Sequence, residues 1–162
     1  MTKKTVSVLG MRDFAKSFER LGAVFSSDDP SRAAKAASKA RILIVEDDFL
    51  VSSAIEVALM QAGFDVAGIA SSAQEAIELA QSHKPDVAIM DIHLAGTRDG
   101  IEAAIELFRA HRIRRIFATA HHDAHMKNRA SPARPLAWVP KPYTMTSLVA
   151  AVQQALDELD AG

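Results

Sequence analysis

From residue 41 onward the chain alternates between short runs of consecutive apolar residues and longer stretches in which apolar residues return every three or four positions. The runs at 41–45, 64–70, 86–91, 114–119 and 136–140 are bounded by turn residues and predict strands buried on both faces, the habit of parallel sheets. The stretches between them predict helices. The first is capped by Asp48, places Val51, Ile55, Leu59 and Met60 inward and ends at Gly63. The second spans 73–83 behind Ser71 or Ser72, with Ile77 and Leu79 inward, and Pro85 prevents its continuation. The third runs from Gly100 to about residue 110 with Ile101, Ala104, Ile105 and Phe108 on its apolar face. The last runs from 144 to about 159 with Leu148, Val149, Val152, Leu156 and Leu159 at helical intervals. Residues 92–99 read as a loop, and 121–134 as a short helix broken by Pro132. Strands alternating with helices in this way predict a doubly wound α/β sandwich, five parallel strands with helices on both faces.

Three strings close three of the runs: Glu46-Asp47-Asp48, Asp91, and Pro140-Lys141-Pro142. In a doubly wound sheet the carboxyl ends of the strands share one edge, so Glu46, Asp47, Asp91 and Lys141 are expected to line one pocket. Three carboxylates at one edge repel one another unless a cation sits among them, and oxygen ligands with a nearby lysine suit Mg²⁺ together with a phosphoryl group. The chemistry this suggests is phosphoryl transfer to a carboxylate. Asp91 follows an apolar strand and precedes a loop containing Gly96 and Gly100, so it can project as a nucleophile. Lys141 can reach a phosphoryl oxygen as a point charge. The third acid of the first string, Asp48, is better placed as a helix cap than as a metal ligand.

Composition narrows the field. With 49% hydrophobic residues in 162 positions there is material for one full core and little for a second. No apolar run is long enough to span a membrane and the N-terminus lacks the apolar segment of a secretory signal, so a cytoplasmic location without membrane attachment is expected. The absence of cysteine removes disulfides, thiolate metal sites and cysteine nucleophiles. The net charge of −1 hides an asymmetry: residues 1–41 hold nine Lys/Arg against four Asp/Glu, and 42–162 hold ten against sixteen. The basic run 111–115 falls at a turn on the sheet edge opposite the pocket, so no nucleic-acid partner is expected.

The ordered set of an acidic pair after the first strand, Asp91 after the third, Thr119 after the fourth and Lys141-Pro142 after the fifth resembles the receiver domain of two-component response regulators, over roughly residues 41–160. The resemblance implies a flavodoxin-like strand order, with Asp91 as phosphoacceptor. Mg²⁺ would be held by Glu46, Asp47, Asp91 and the backbone carbonyl of His93. Thr119 would be the switch hydroxyl and Lys141 the contact to phosphoryl oxygens, and the Lys141-Pro142 bond would be cis. It further implies that Trp138 follows the switch, that His93 and His121 flank the phosphoryl group and influence its lifetime, and that the donor is a histidine kinase or phosphotransfer protein. The string Phe117-Ala118-Thr119 is similar to that of a receiver subgroup of alphaproteobacteria. Only self-directed phosphoryl transfer and hydrolysis are expected, not an enzyme acting on other substrates. With twenty-one residues after Lys141, a stand-alone receiver without a DNA-binding effector is expected, its signal leaving through protein contacts.

A constitutive interaction module with the same fold is the alternative, and an aspartate-based phosphatase is disfavoured because His93 stands where its acid/base Asp would be. His121, His122 and His125 do not specify zinc, since adjacent histidines cannot face one ion from a regular element. Residues 1–40 are expected to form a separate helical arm and linker. Met11, Phe14, Phe18, Leu21 and Phe25 mark one apolar stripe, and a homodimer through that arm is the leading expectation.

Overall fold

A computed structural model describes residues 39–162 apart from 121 and 162. The expected arm, its stripe, the dimer it would make and His121 therefore lie outside the described residues.

Five strands, β1 (Arg41–Val45), β2 (Asp65–Ala70), β3 (Val87–Met90), β4 (Arg114–Thr119) and β5 (Ala137–Pro140), form one parallel sheet in the order β2-β1-β3-β4-β5. Side chains alternate across it. Leu43, Val45, Ala88, Met90 and Phe117 face one layer, and Ile42, Ile44, Val87, Ile89, Ile116 and Ala118 face the other. The first layer is built from α2 (Ala73–His83), α3 (Gly100–His111), α4 (Ala124–Ala130) and a 3₁₀ turn, Ser131–Ala133. The second is built from α1 (Phe49–Gln61) and α5 (Met145–Ala161). The short helix expected within 121–134 is α4, and Pro132 lies inside the 3₁₀ turn that follows it. After β1 the chain moves outward to β2 and then returns past β1 to β3, so the connections diverge between β1 and β3. A crevice opens at the carboxyl ends of these two strands, the place where doubly wound sheets hold their ligands.

The helix starts agree with the expected caps. Asp48 accepts hydrogen bonds from the backbone N–H groups of Leu50 and Val51, and Ser72 from that of Glu75. The expected faces need correction in three helices. Met60 is exposed and Ser52 is buried instead, its hydroxyl donating to the carbonyl of Phe49, a local bond that satisfies a polar group inside. Along α2 the buried positions are Ala73, Ala76 and Ala80, with Ile77 and Leu79 packed at their margin. Along α3 they are Ile101, Ala103, Ala104 and Leu107. Ile105 and Phe108 are displaced to the side, and the Phe108 ring lies within 6.0 Å of the guanidinium carbons of Arg112, Arg115 and Arg134. Small alanines bring these helices close to the sheet, so the larger side chains are pushed outward.

Candidate functional site

Backbone ladders carry the acidic residues to the crevice. The N–H of Glu46 donates to the carbonyl of Ala70 at 2.9 Å, extending β1, and the N–H of Asp91 donates to the carbonyl of Val45 at 2.9 Å, extending β3. Beyond β5, the N–H of Lys141 donates to the carbonyl of Thr119 at 3.0 Å, tying the end of β5 to the end of β4. The Lys141-Pro142 bond is cis.

These ties bring the side chains together. The Lys141 ammonium donates to Asp91 Oδ2 at 2.6 Å and to Glu46 Oε2 at 3.0 Å. The other oxygen of each carboxylate is also held, since Glu46 Oε1 accepts from the N–H of Asp48 at 3.1 Å and Asp91 Oδ1 from that of His93 at 3.1 Å. Both carboxylates are buried while Lys141 remains partly exposed. Burial pushes the Glu46 carboxyl above its ordinary range even though Lys141 draws it down. Burial also opposes the Lys141 ammonium, but its hydrogen bonds to Asp91 and Glu46 prevail and hold it above the usual lysine range.

The remaining expected residues are arranged around this centre. Thr119 is fully buried at the end of β4. Trp138 is half-buried, its ring 4.7 Å from that of Phe117, on the sheet face covered by α3 and α4. Asp47 is exposed and opens on a cavity of about 420 Å³ that it shares with His93, Leu94, Asp99, Met126 and Arg129. Among the described residues no three His, Asp or Glu side chains stand close enough together to hold a metal. Lys141 fills the space between Glu46 and Asp91, and Asp47 is turned toward the cavity. The donor types, two buried carboxylates with the exposed Asp47 next to Glu46 in sequence, are those a hard dication such as Mg²⁺ takes.

Sequence reasoning missed Asp99 and Arg129. Arg129 Nη2 is paired with Asp99 Oδ2 at 2.6 Å, while Asp99 Oδ1 caps α3 by accepting from the N–H of Glu102 at 2.9 Å. A capping pattern was visible at Asp99 before the helix, but nothing in sequence spacing links it to a residue thirty positions away. Tyr143, two residues past Lys141, was also passed over. Its hydroxyl is buried without a hydrogen-bond partner, and burial raises its pKa.

Comparison with known proteins gives a consistent picture. The family model described as "Response regulator receiver domain" matches residues 42–153. The "Transcriptional regulatory protein PdtaR" of Mycobacterium tuberculosis is 35% identical over 127 residues, covering 78% of this chain and 62% of that protein. The "Phyllosphere-induced regulator PhyR" of Methylorubrum extorquens is 30% identical over 131 residues, covering 80% of this chain and 48% of that protein. The chain therefore spans less than two thirds of the length of these relatives. A CheY-like response regulator receiver domain protein from Methanospirillum hungatei superposes with a TM-score of 0.71 at 25% identity, covering 76% of this chain and 98% of that one.

Proposed function

The chain belongs to the response regulator receiver family of two-component signalling, and from that premise we propose that Asp91 accepts a phosphoryl group from a histidine kinase or phosphotransfer protein, with Mg²⁺ as cofactor. The observation that carries the reading is the Lys141 ammonium shared by Glu46 and Asp91 at the ends of β1, β3 and β5. In the resting site both oxygens of Asp91 are engaged, one by a backbone N–H and one by Lys141. Transfer begins when Lys141 leaves Oδ2 for an oxygen of the incoming phosphoryl group. The freed Oδ2 attacks phosphorus, an oxygen–phosphorus bond forms, and the donor's bond to phosphorus breaks with its electron pair staying on the donor. Glu46, Asp91, an inward-turned Asp47 and the His93 carbonyl would hold Mg²⁺, which when bound offsets the charge gathering on the phosphoryl oxygens.

Thr119 donates its hydroxyl to the phosphoryl group and draws the loop after β4 inward. Its carbonyl is already bonded to the N–H of Lys141, so the two residues move as neighbours. Phe49 and Leu50, 78% and 77% exposed directly after the acidic turn, supply an apolar rim on which a donor protein seats. The signal leaves through protein contacts.

Trp138 is the sole tryptophan and its place on the α3–α4 face makes it the reporter. Its fluorescence is expected to respond to Mg²⁺ and then to a small phosphodonor or a phosphate mimic, and Asp91→Asn to lose the second response. Asp47→Ala is expected to weaken the Mg²⁺ response, because it removes a charged oxygen ligand and leaves the nucleophile in place. A donor response that persists in Asp91→Asn, or an unchanged Mg²⁺ response in Asp47→Ala, would overturn the assignment.

A further inference from the structure

Arginines gather at the end of the sheet opposite the acceptor. Arg114 and Arg115 open β4, whose other end is Thr119, so residue steps of about 3.3 Å each carry Arg115 away from the acceptor edge. Arg112 closes α3 and Arg134 closes the 3₁₀ turn. The guanidinium carbons of Arg112, Arg115 and Arg134 lie 5.5, 5.7 and 6.0 Å from the centre of the Phe108 ring. One half-buried ring thus collects three cations.

Among the described residues no carboxylate pairs with Arg112, Arg114, Arg115 or Arg134, and Glu106 of α3 is taken by Arg98. The C-terminal end of α3 offers only about half a negative charge, and the ring face adds a weak attraction. Most of the positive charge is left without an answer. The sharpest mismatch is at Arg115, which has no exposure. Its Nη1 donates to the carbonyls of Ala104 and Ala133, but Nε and Nη2 are buried without a hydrogen-bond partner. Native interiors seldom leave donors in that state. Burial, and then the neighbouring Arg114, push the Arg115 guanidinium down to about 9, so it still carries its charge at neutral pH.

The backbone holds the cluster together against its own repulsion. Arg112 and Arg134 have φ of 59° and 51°, left-handed conformations in which glycine or asparagine sits with least strain. Both positions carry an exposed arginine instead. The N–H of Arg112 donates to the carbonyl of Phe108 at 3.0 Å, Arg115 holds the carbonyl of Ala133 at 2.8 Å, and Arg114 Nε holds the carbonyl of Arg134 at 3.1 Å. The two exposed arginines therefore start from fixed points on either side of Phe108.

We propose that Arg112, Arg134 and the buried Arg115 form an oxyanion site around Phe108 that takes the phosphate group of a small molecule, either free phosphate or a phosphate monoester. Guanidinium forks match phosphate oxygens two at a time, and a dianion answers three cations better than the single charge of a carboxylate. The two exposed forks grip the oxygens, and Arg115 adds its charge through the low-dielectric interior. An oxygen reaching Arg115 Nε or Nη2 would also satisfy the two orphaned donors. The site is distinct from Asp91 and does not depend on the function proposed above.

Thermal unfolding of the full chain, followed by Trp138 fluorescence without Mg²⁺ and at fixed ionic strength, tests the site with inorganic phosphate and with glycerol phosphate against chloride. A ligand that binds only the folded chain raises the midpoint along a saturation curve. Exclusion of phosphate from the protein surface also stabilises, but without saturation and equally in every variant. We expect a saturable rise of about 3–8 °C at ten times the half-saturating concentration. Arg112→Gln and Arg134→Gln, both at exposed positions, should each weaken the apparent affinity about ten-fold or more. Lys141→Met, at the acceptor end, should leave that affinity unchanged. A rise with inorganic phosphate alone restricts the site to the free ion, and a rise with glycerol phosphate assigns the monoester. No saturable rise with either ligand, a rise equal in the wild type and both arginine variants, or a rise lost in Lys141→Met and kept in the arginine variants overturns the site.

Discussion

Replacing Lys141 with Met keeps the apolar stem and removes the charge that Glu46 and Asp91 share. Breaking one side of a fully enclosed ion pair costs about 3–5 kcal/mol. Here Glu46 and Asp91 are 5% and 10% exposed but Lys141 is 26% exposed, so water can partly replace the ammonium. We expect a loss of about 2–3 kcal/mol at pH 7. The pH dependence is the more discriminating part. Burial already raises the Glu46 carboxyl in the presence of Lys141, and without the lysine that rise must grow. A carboxyl with a folded pKa above its unfolded value favours the fold below the unfolded pKa, and that benefit is lost as pH climbs through the folded one. The deficit of Lys141→Met should therefore be full near pH 8 and shrink toward pH 5. One extra bound proton recovers about 1.4 kcal/mol per pH step, so roughly two steps remove most of it. The wild type gains less over this window, because Lys141 holds down the rise of the Glu46 carboxyl, while the raised Lys141 pKa adds stability that is lost only at higher pH. Urea unfolding followed by Trp138 fluorescence at pH 5, 6, 7 and 8 measures the difference. A deficit that is constant with pH, or that grows on acidification, would rule out the buried Glu46 carboxylate as its source.

Gly100→Ala should disrupt the acceptor loop, because the new methyl meets backbone atoms of Asp91 and Ile92 that cannot step aside. A loss of about 1–3 kcal/mol or more in urea unfolding, together with slowed phosphoryl uptake, is expected; wild-type values in both assays would contradict the close approach of Gly100 to the acceptor backbone. Asp48→Ala should cost about 1 kcal/mol by thermal unfolding through loss of the α1 cap. Because Glu46 is held by the backbone N–H of residue 48 and not by its side chain, Mg²⁺ affinity should change little, and a large loss would mark Asp48 as a ligand.

The succession of strands and helices along the chain was legible because parallel strands buried on both faces leave unbroken apolar runs, and because Asp48, Ser72 and Pro85 punctuate the helices by local chemistry; the order of strands in the sheet came only through the family resemblance. The meeting of Glu46, Asp91 and Lys141 at one edge was also legible, since one topological rule places strand ends together, whereas the ion pairs Lys141 makes with both carboxylates were not. The helix faces were less so. Periodicity favours the largest apolar side chain, and it selected Met60, Ile77 and Phe108 where the structure buries Ser52, Ala76 and Leu107. In each case close approach of helix and sheet decides, and that distance is a property of two elements at once. The same holds for Arg115, fully buried in β4, and for Arg129 with Asp99. Their partners lie eleven to thirty positions away on other elements, and charge counting along the sequence treats them as solvent-facing.

Intact-mass measurement with peptide mapping, after incubation with acetyl phosphate and Mg²⁺, decides whether Asp91 is the phosphoacceptor. One phosphoryl group is expected on the wild type, confined to the peptide that contains Asp91, and none on Asp91→Asn. Equal labelling of the variant, a label on any other peptide, or an unlabelled wild type would contradict the account.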